Sequence, residues 1–150
     1  MIERYEITSY DAAQRMWQLQ QAAYRIEAER IGWPDLPPLR ESAEELMECG
    51  ETFYAAILAG DLAGAVSFKK VGQTLDIHRM VVDPKHFRKG IASNLLVHLE
   101  KANPEASSII VSTAARNEPA VKLYQRHGYV TTGTKEVAPE LVLQFFKKDL

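Results

Sequence analysis

The stretch Met80-Val81-Val82-Asp83-Pro84-Lys85-His86-Phe87-Arg88-Lys89-Gly90-Ile91-Ala92-Ser93 constrains this chain more than any other. An apolar strand ends at Asp83-Pro84 and a short basic loop follows. Ile91, Leu95, Leu96 and Leu99 then recur at helical spacing. Small residues stand where that helix opens. The first amides of a helix have no intrahelical acceptor and lie at the positive end of its dipole. Gly90 and Ala92 leave that end uncovered, so an anion can approach the backbone, and Arg88 and Lys89 add charge beside it. Spacing alone leaves two readings open. One is a phosphate or pyrophosphate site. The other is an ordinary strand-to-helix turn with solvated basic residues.

The surrounding chain narrows the options. Its 150 residues are the length of one domain, 1–150, with a single core. A net charge of −2 without a basic block disfavours a nucleic-acid surface. The single cysteine, Cys49, excludes an internal disulfide and suggests a reducing compartment. Met1-Ile2-Glu3-Arg4 is charged and lacks the apolar core of a secretory leader. No run approaches the ~20 apolar residues of a membrane span. A cytoplasmic monomer or homodimer is the expectation, with no membrane partner and no metal.

The elements follow in order. Residues 2–7 alternate as a strand. From Ala12 to about Arg30, Met16, Leu19, Ala23 and Ile26 recur at helical spacing, with Trp17 and Tyr24 extending the face. Gly32 to Pro38 ends the helix. Ser42-Ala43-Glu44-Glu45 is a capping box for a short helix running to Cys49. Three consecutive strands follow: Phe53–Leu58, Leu62–Phe68 and Leu75–Val82. The helix after the basic loop ends before Asn103-Pro104, and Ser108–Ser112 is a short apolar strand. The crossover between those strands, about 25 residues, is long enough for a parallel βαβ unit. Asn117-Glu118-Pro119 caps a last helix that ends at His127-Gly128. Tyr129-Val130 and Leu141–Phe146 read as a terminal hairpin turning around Lys135–Pro139. On the third strand, period-two geometry puts Asp76, His78, Met80 and Val82 on one face. Leu75, Ile77, Arg79 and Val81 fall on the other.

Asp83-Pro84, Arg88-Lys89-Gly90-Ile91-Ala92 with its Leu-rich helix, and Asn117…Ala120…Leu123-Tyr124…His127-Gly128-Tyr129 together resemble the GNAT superfamily of acyl-CoA-dependent N-acyltransferases. The resemblance covers nearly the whole chain. It implies an α/β fold with a mixed, mostly antiparallel central sheet, one splayed parallel pair, and about four flanking helices. The chain departs from the pattern at Phe87, where the family usually carries Gln or Arg.

Carried over, the resemblance implies an enzyme that moves an acetyl group from acetyl-CoA to an amine in a direct ternary complex. Amides of Arg88, Lys89, Gly90, Ile91, Ala92 and Ser93 would hold the CoA pyrophosphate. The backbone of Met80, Val81 and Val82 would pair with the pantetheine arm as an added strand. Asn117 would bond that arm, and Tyr124 would protonate or hydrogen-bond the departing thiolate. Asp76 matches a strand position that carries a base in several members. His78 suits the task by its ordinary pKa near ~6.5. Tyr24, Glu27, Glu29, Trp33 and Asp35 fall where the family builds its acceptor site, and Tyr24, Glu27 and Trp33 are the substrate candidates. Carboxylates beside aromatics suit a cationic amine, either a small molecule or a protein N-terminus or lysine. The competing expectation is a CoA-binding regulatory module without catalysis.

Overall fold

The computed structural model describes all residues, Met1–Leu150. Ser9 opens the long first helix, α1 (Tyr10–Ile31), by accepting a hydrogen bond from the Ala12 amide at 3.1 Å. Gly32 closes it at φ +72°, a left-handed conformation suited to glycine. A 3-10 turn at Pro37–Arg40 leads to α2 (Ala43–Met47). Its capping box is formed as the sequence implied: Ser42 accepts from the Glu45 amide, and Glu45 from the Ser42 amide.

The strands are β1 (Ile2–Tyr5), β2 (Thr52–Leu58), β3 (Asp61–Val71), β4 (Thr74–Val82), β5 (Ser108–Ala114), β6 (Val130–Ala138) and β7 (Leu141–Asp149). They form one sheet in the order β1-β2-β3-β4-β5-β7-β6. Every neighbouring pair is antiparallel except β4–β5. Helices α3 (Ile91–Ala102) and α4 (Glu118–Arg126) complete the molecule. The mixed sheet with one parallel pair and four helices agrees with the expected fold class. No helix is long and apolar enough to cross a membrane.

Each face of the sheet carries its own core. On one face Phe68, Leu75, Ile109 and Phe146 pack with Leu95, Leu96 and Leu99 of α3 and Leu123 and Tyr124 of α4. On the other, Phe53, Ala65 and Val81 pack with Met16 and Leu19 of α1 and Leu46 of α2. Gly64 is where α3 meets the sheet most closely. A Cβ there would stand 2.7 Å from Ile91 Cγ2 and 3.1 Å from the Val81 carbonyl. The absence of a side chain at Gly64 therefore seats the first turn of α3 against β3 and β4.

Two local expectations are corrected. The last turn lies at Pro139-Glu140, because Lys135–Ala138 continue β6 beside β7, with a register shift between Glu136 and Ala138. Asn117 occupies the cap position of α4, but its side chain makes no cap hydrogen bond. The amide is engaged elsewhere, as described below.

Candidate active site

β4 and β5 pair over three rungs only, Thr74↔Ser108, Leu75↔Ile109 and Asp76↔Ile110. Past Asp76 the two strands part. A slot of about 190 Å³ opens there, lined by Ile77, His78 and Met80 on one side and by Val111 and Thr113 on the other. Tyr24 and Glu27 reach it from α1, and Asn117 and Tyr124 from the start and middle of α4. A larger cavity of about 520 Å³ runs from the slot towards the mouth of α3. Tyr24, Glu27, Met80, Asn117 and Ala120 line both spaces and so mark their junction.

The far end of the larger cavity is the mouth of α3, the candidate anion site of the sequence analysis. Gly90 caps α3 at φ +74° with no side-chain cap hydrogen bond, so no side chain competes for the first amides. Arg88, a non-glycine residue, is also left-handed at φ +65°. The cavity is lined there by Arg88, Gly90, Ile91, Ala92 and Ser93, with Arg30 and Arg126 facing them from α1 and α4. Met80, Val81 and Val82 line its inner wall. Lys89 does not: its ammonium lies 3.0 Å from His86 Nδ1 at the exposed surface. Phe87 lines the cavity without adding charge.

β4 is not a regular strand. Ser67 pairs with Arg79 and Phe68 with Ile77, so His78 is an extra residue, a β-bulge. The bulge reverses the alternation that period two dictates. Leu75 and Ile77 belong to the core under α3 and α4, and beyond the bulge Met80 and Val82 pack against that same core. Val81 joins the opposite core, and Arg79 shares its face. The expected grouping of Asp76, His78, Met80 and Val82 on one face is therefore wrong past His78. Asp76 and His78 remain neighbours, with His78 Nε2 3.4 Å from Asp76 Oδ2. The other ring nitrogen, Nδ1, lies 3.5 Å from Glu51 Oε2. His78 lines the slot, whereas Asp76 stands at the last paired rung behind it.

Turned over by the bulge, Arg79 becomes the hub of a network the sequence did not reveal. Its Nε donates to Glu51 Oε1 at 2.9 Å, and its Nη2 donates to Glu51 Oε2 at 3.2 Å and to Glu41 Oε2 at 2.9 Å. Nη1 donates to Gln20 Oε1 at 2.9 Å and also to Glu41 Oε1. Gln20 donates in turn to Glu41, and Ser67 to Glu51 at 2.6 Å. Three segments distant in sequence thus converge on one guanidinium whose side chain is 11% exposed. The fork geometry of arginine suits two carboxylates at once. Burial alone would raise the Glu51 carboxyl. Hydrogen bonds from Arg79 and Ser67, with the charge of Arg79, more than reverse this and hold it below the ordinary range. Beside the network a second opening of about 340 Å³ is lined by Tyr24, Pro38, Arg40, Glu45, His78 and Arg79, among others. It lies on the α1 and α2 side of the sheet, opposite the mouth of α3.

Asn117 Nδ2 donates to Glu27 Oε1 at 2.8 Å, tying α4 to α1 across 90 positions. The Asn117 Oδ1 atom is buried with no protein partner. Burial holds the Glu27 carboxyl above its ordinary range, against the pull of Arg30 and of the Asn117 amide. Tyr124 is buried among Tyr129 and Phe146, with ring centroids 5.5 and 5.6 Å away. Burial, and after it the charge of Glu27, pushes its phenol well above the ordinary value. Trp33 also lines the slot, so the three substrate candidates Tyr24, Glu27 and Trp33 meet there. Glu29 and Asp35 are exposed and line neither the slot nor the two openings. Cys49 lies outside all three.

A sheet parted between two parallel strands, with an uncovered helix N-terminus at one end of the gap, defines an N-acetyltransferase fold, and solved structures agree. PaiA N-acetyltransferase from Thermoplasma acidophilum, in complex with coenzyme A, superposes with a TM-score of 0.80 over 100% of this chain and 99% of that one, at 16% identity. The ribosomal-protein-S18-alanine N-acetyltransferase of Escherichia coli gives 0.79 over 99% and 92%, at 14% identity. The model of the Acetyltransferase (GNAT) family matches residues 13–129, and the chain belongs to that family.

Among curated proteins of Bacillus subtilis (strain 168), UPF0157 protein YqkA is 36% identical over 146 residues, 97% of this chain and 43% of its own length. The uncharacterized N-acetyltransferase YsnE is 34% identical over 83 residues, 52% of this chain and 55% of its own length. The chain therefore spans about half the length of the curated relatives it matches.

Proposed function

We propose that residues 1–150 form one N-acetyltransferase domain that moves an acetyl group from acetyl-CoA to a primary amine by direct transfer in a ternary complex. The observation that carries this reading is the junction of the two spaces. The larger cavity leads from an uncovered helix N-terminus to the parted strands, and the slot leads from there to the opposite face. A thioester held on one side and an amine entering from the other meet at Glu27, Met80 and Asn117.

In this reading acetyl-CoA is the cosubstrate and needs no metal. Its pyrophosphate sits on the amides of Arg88 to Ser93, with Arg30 and Arg126 as counter-charges. Its pantetheine arm pairs with the free edge of Met80-Val81-Val82. The orphaned Asn117 Oδ1 accepts from an amide N–H of that arm, which removes the cost of a buried, unpartnered acceptor. The incoming ammonium loses its first proton at the acceptor-side mouth, to His78 or, through it, to Asp76. The free amine attacks the thioester carbonyl, the C–N bond forms, and the C–S bond breaks with its electron pair on sulfur. Tyr124 donates to that sulfur. Since no cysteine lines the slot, no covalent acyl-enzyme is invoked. The acceptor is an amine on a small molecule, a protein N-terminus or a lysine.

Thiol release from acetyl-CoA, followed across a panel of amines, tests the reading. The expected result is release with at least one amine, and a Tyr124→Phe variant that turns over more slowly while binding CoA as before. A chain that binds CoA yet releases thiol to no amine is the regulatory module instead.

A further inference from the structure

Acetylation of an ammonium releases two protons from nitrogen, and the base at the slot mouth accounts for one. The second leaves the nitrogen of the tetrahedral adduct, inside the junction, while the departing sulfur needs a proton a few bonds away. We infer that Glu27 carries this second proton from the adduct nitrogen towards the sulfur, with Tyr124 as the intermediate donor. The inference rests on the transferase reading and adds a residue from α1 to it.

Geometry supports Glu27 in three ways. It is the one carboxylate that lines both the slot and the larger cavity. Its side chain is fixed: Asn117 Nδ2 holds Oε1 at 2.8 Å, which leaves Oε2 without a protein donor. It also shares the lining of the slot with Tyr124. Asp76 has none of these properties, since it lines neither space and stands behind the last paired rung.

Acid strengths give the proton its direction. A phenol pushed above its ordinary value is a weaker acid than a thiol, so Tyr124 alone makes a good hydrogen-bond donor to sulfur and a poor net proton source. A carboxylic acid, even one raised by burial, is a stronger acid than either. The balanced sequence is then complete. The Glu27 carboxylate takes H⁺ from the adduct nitrogen as the C–N bond becomes an amide. The C–S electron pair goes to sulfur, which takes the Tyr124 proton. Glu27 returns its proton to the tyrosinate, directly or through one water. Glu27 and Tyr124 end as they began, and the products are the amide and the CoA thiol.

The polar and charged groups that face Glu27 are Tyr24 and Arg30 on its own helix, Asn117 and Tyr124 of the α4 segment, and His78 and Arg79 of β4. Across the larger cavity stand His86, Arg88 and Arg126.

The test compares the full native chain with Glu27→Gln in kcat/KM and kcat against pH, with acetyl-CoA and an amine that gives thiol release. Gln preserves the acceptor for Asn117, so CoA affinity is expected to be unchanged. Turnover at neutral pH is expected to fall about 100-fold or more, the usual scale of a general acid–base group. The contribution of Glu27 to the acid limb of the profile, set above the ordinary carboxylate range, is expected to vanish. Glu29→Gln, at an exposed carboxylate that lines neither space, is expected to leave that contribution in place. Should the Gln variant fail to fold, Glu27→Asp keeps the charge and withdraws it by one methylene, and a native rate in it overturns the inference. A Glu27→Gln chain that keeps pace with the native one overturns this proton path alone. A native chain that binds CoA and acetylates nothing overturns the transferase reading and this path with it.

Discussion

The two sides of the parted sheet are built in opposite ways. The side facing α3 is made mostly of backbone: amides at the helix mouth and the free edge of Met80-Val81-Val82. That backbone comes from fourteen consecutive residues, 80–93. The side facing α1 and α2 is made of side chains, with Gln20, Glu41, Glu51, Ser67 and Arg79 arriving from five places. A backbone site depends on helix geometry and on the absence of obstruction, so most of its side chains are replaceable. A side-chain site depends on each partner, because a buried charge without its mate is costly.

The largest break in that contrast is expected at Arg79→Met. It leaves Glu41 and Glu51 as uncompensated carboxylates, and removing one partner of a buried ion pair costs about 3–5 kcal/mol. Urea denaturation measures this, and a midpoint unchanged from native would mean that the network is idle. Gly90→Glu strikes the other side. It puts a side chain at φ +74° and a negative charge over the α3 amides. CoA affinity is expected to fall by about 2 kcal/mol, roughly thirtyfold in Kd, by calorimetric titration. Equal affinity in that variant would place the anion elsewhere.

A smaller effect separates the two sides by pH. The Glu51 carboxyl is lower in the folded chain than its ordinary 4.5. Its stabilisation is present above the ordinary value and is lost as pH falls through the folded one. Acid unfolding, at a pH below the ordinary carboxylate value, is thus expected to begin on the α1 and α2 side, read from the fluorescence of Trp17 and Trp33. The smallest effect has the opposite sign. Glu27 is raised in the folded chain, so its contribution is present in acid and is lost as pH rises through the folded pKa. Glu27→Gln is expected to melt slightly higher than native at neutral pH, with the difference fading in acid.

The same contrast explains what could be read from the chain in advance. The α3 mouth was legible because strand, glycine and helix are contiguous and each carries its own local signal. The order of all the elements followed from such signals, including the Ser42 capping box. Arg79 was not legible, since one extra residue at His78 reverses the face on which it lies and no local pattern announced that bulge. The Glu27–Asn117 bond joins residues whose separation gives no periodicity to detect. Asn117 looked like a helix cap because asparagine ordinarily is one, and here a carboxylate from α1 takes its amide instead.

Three rungs join the four-stranded leaf β1–β4 to the three-stranded leaf of β5, β7 and β6. They act as a spine between the two leaves. In the complex proposed above, a pantetheine arm bonded along Met80–Val82 would supply missing rungs, so cosubstrate would work as an adhesive between halves of the protein. Amide hydrogen exchange along residues 77–82 and 111–114 is the place to see that: the amides that face the gap rather than β3 or β7 are expected to exchange fast in the empty chain and to slow when the arm is in.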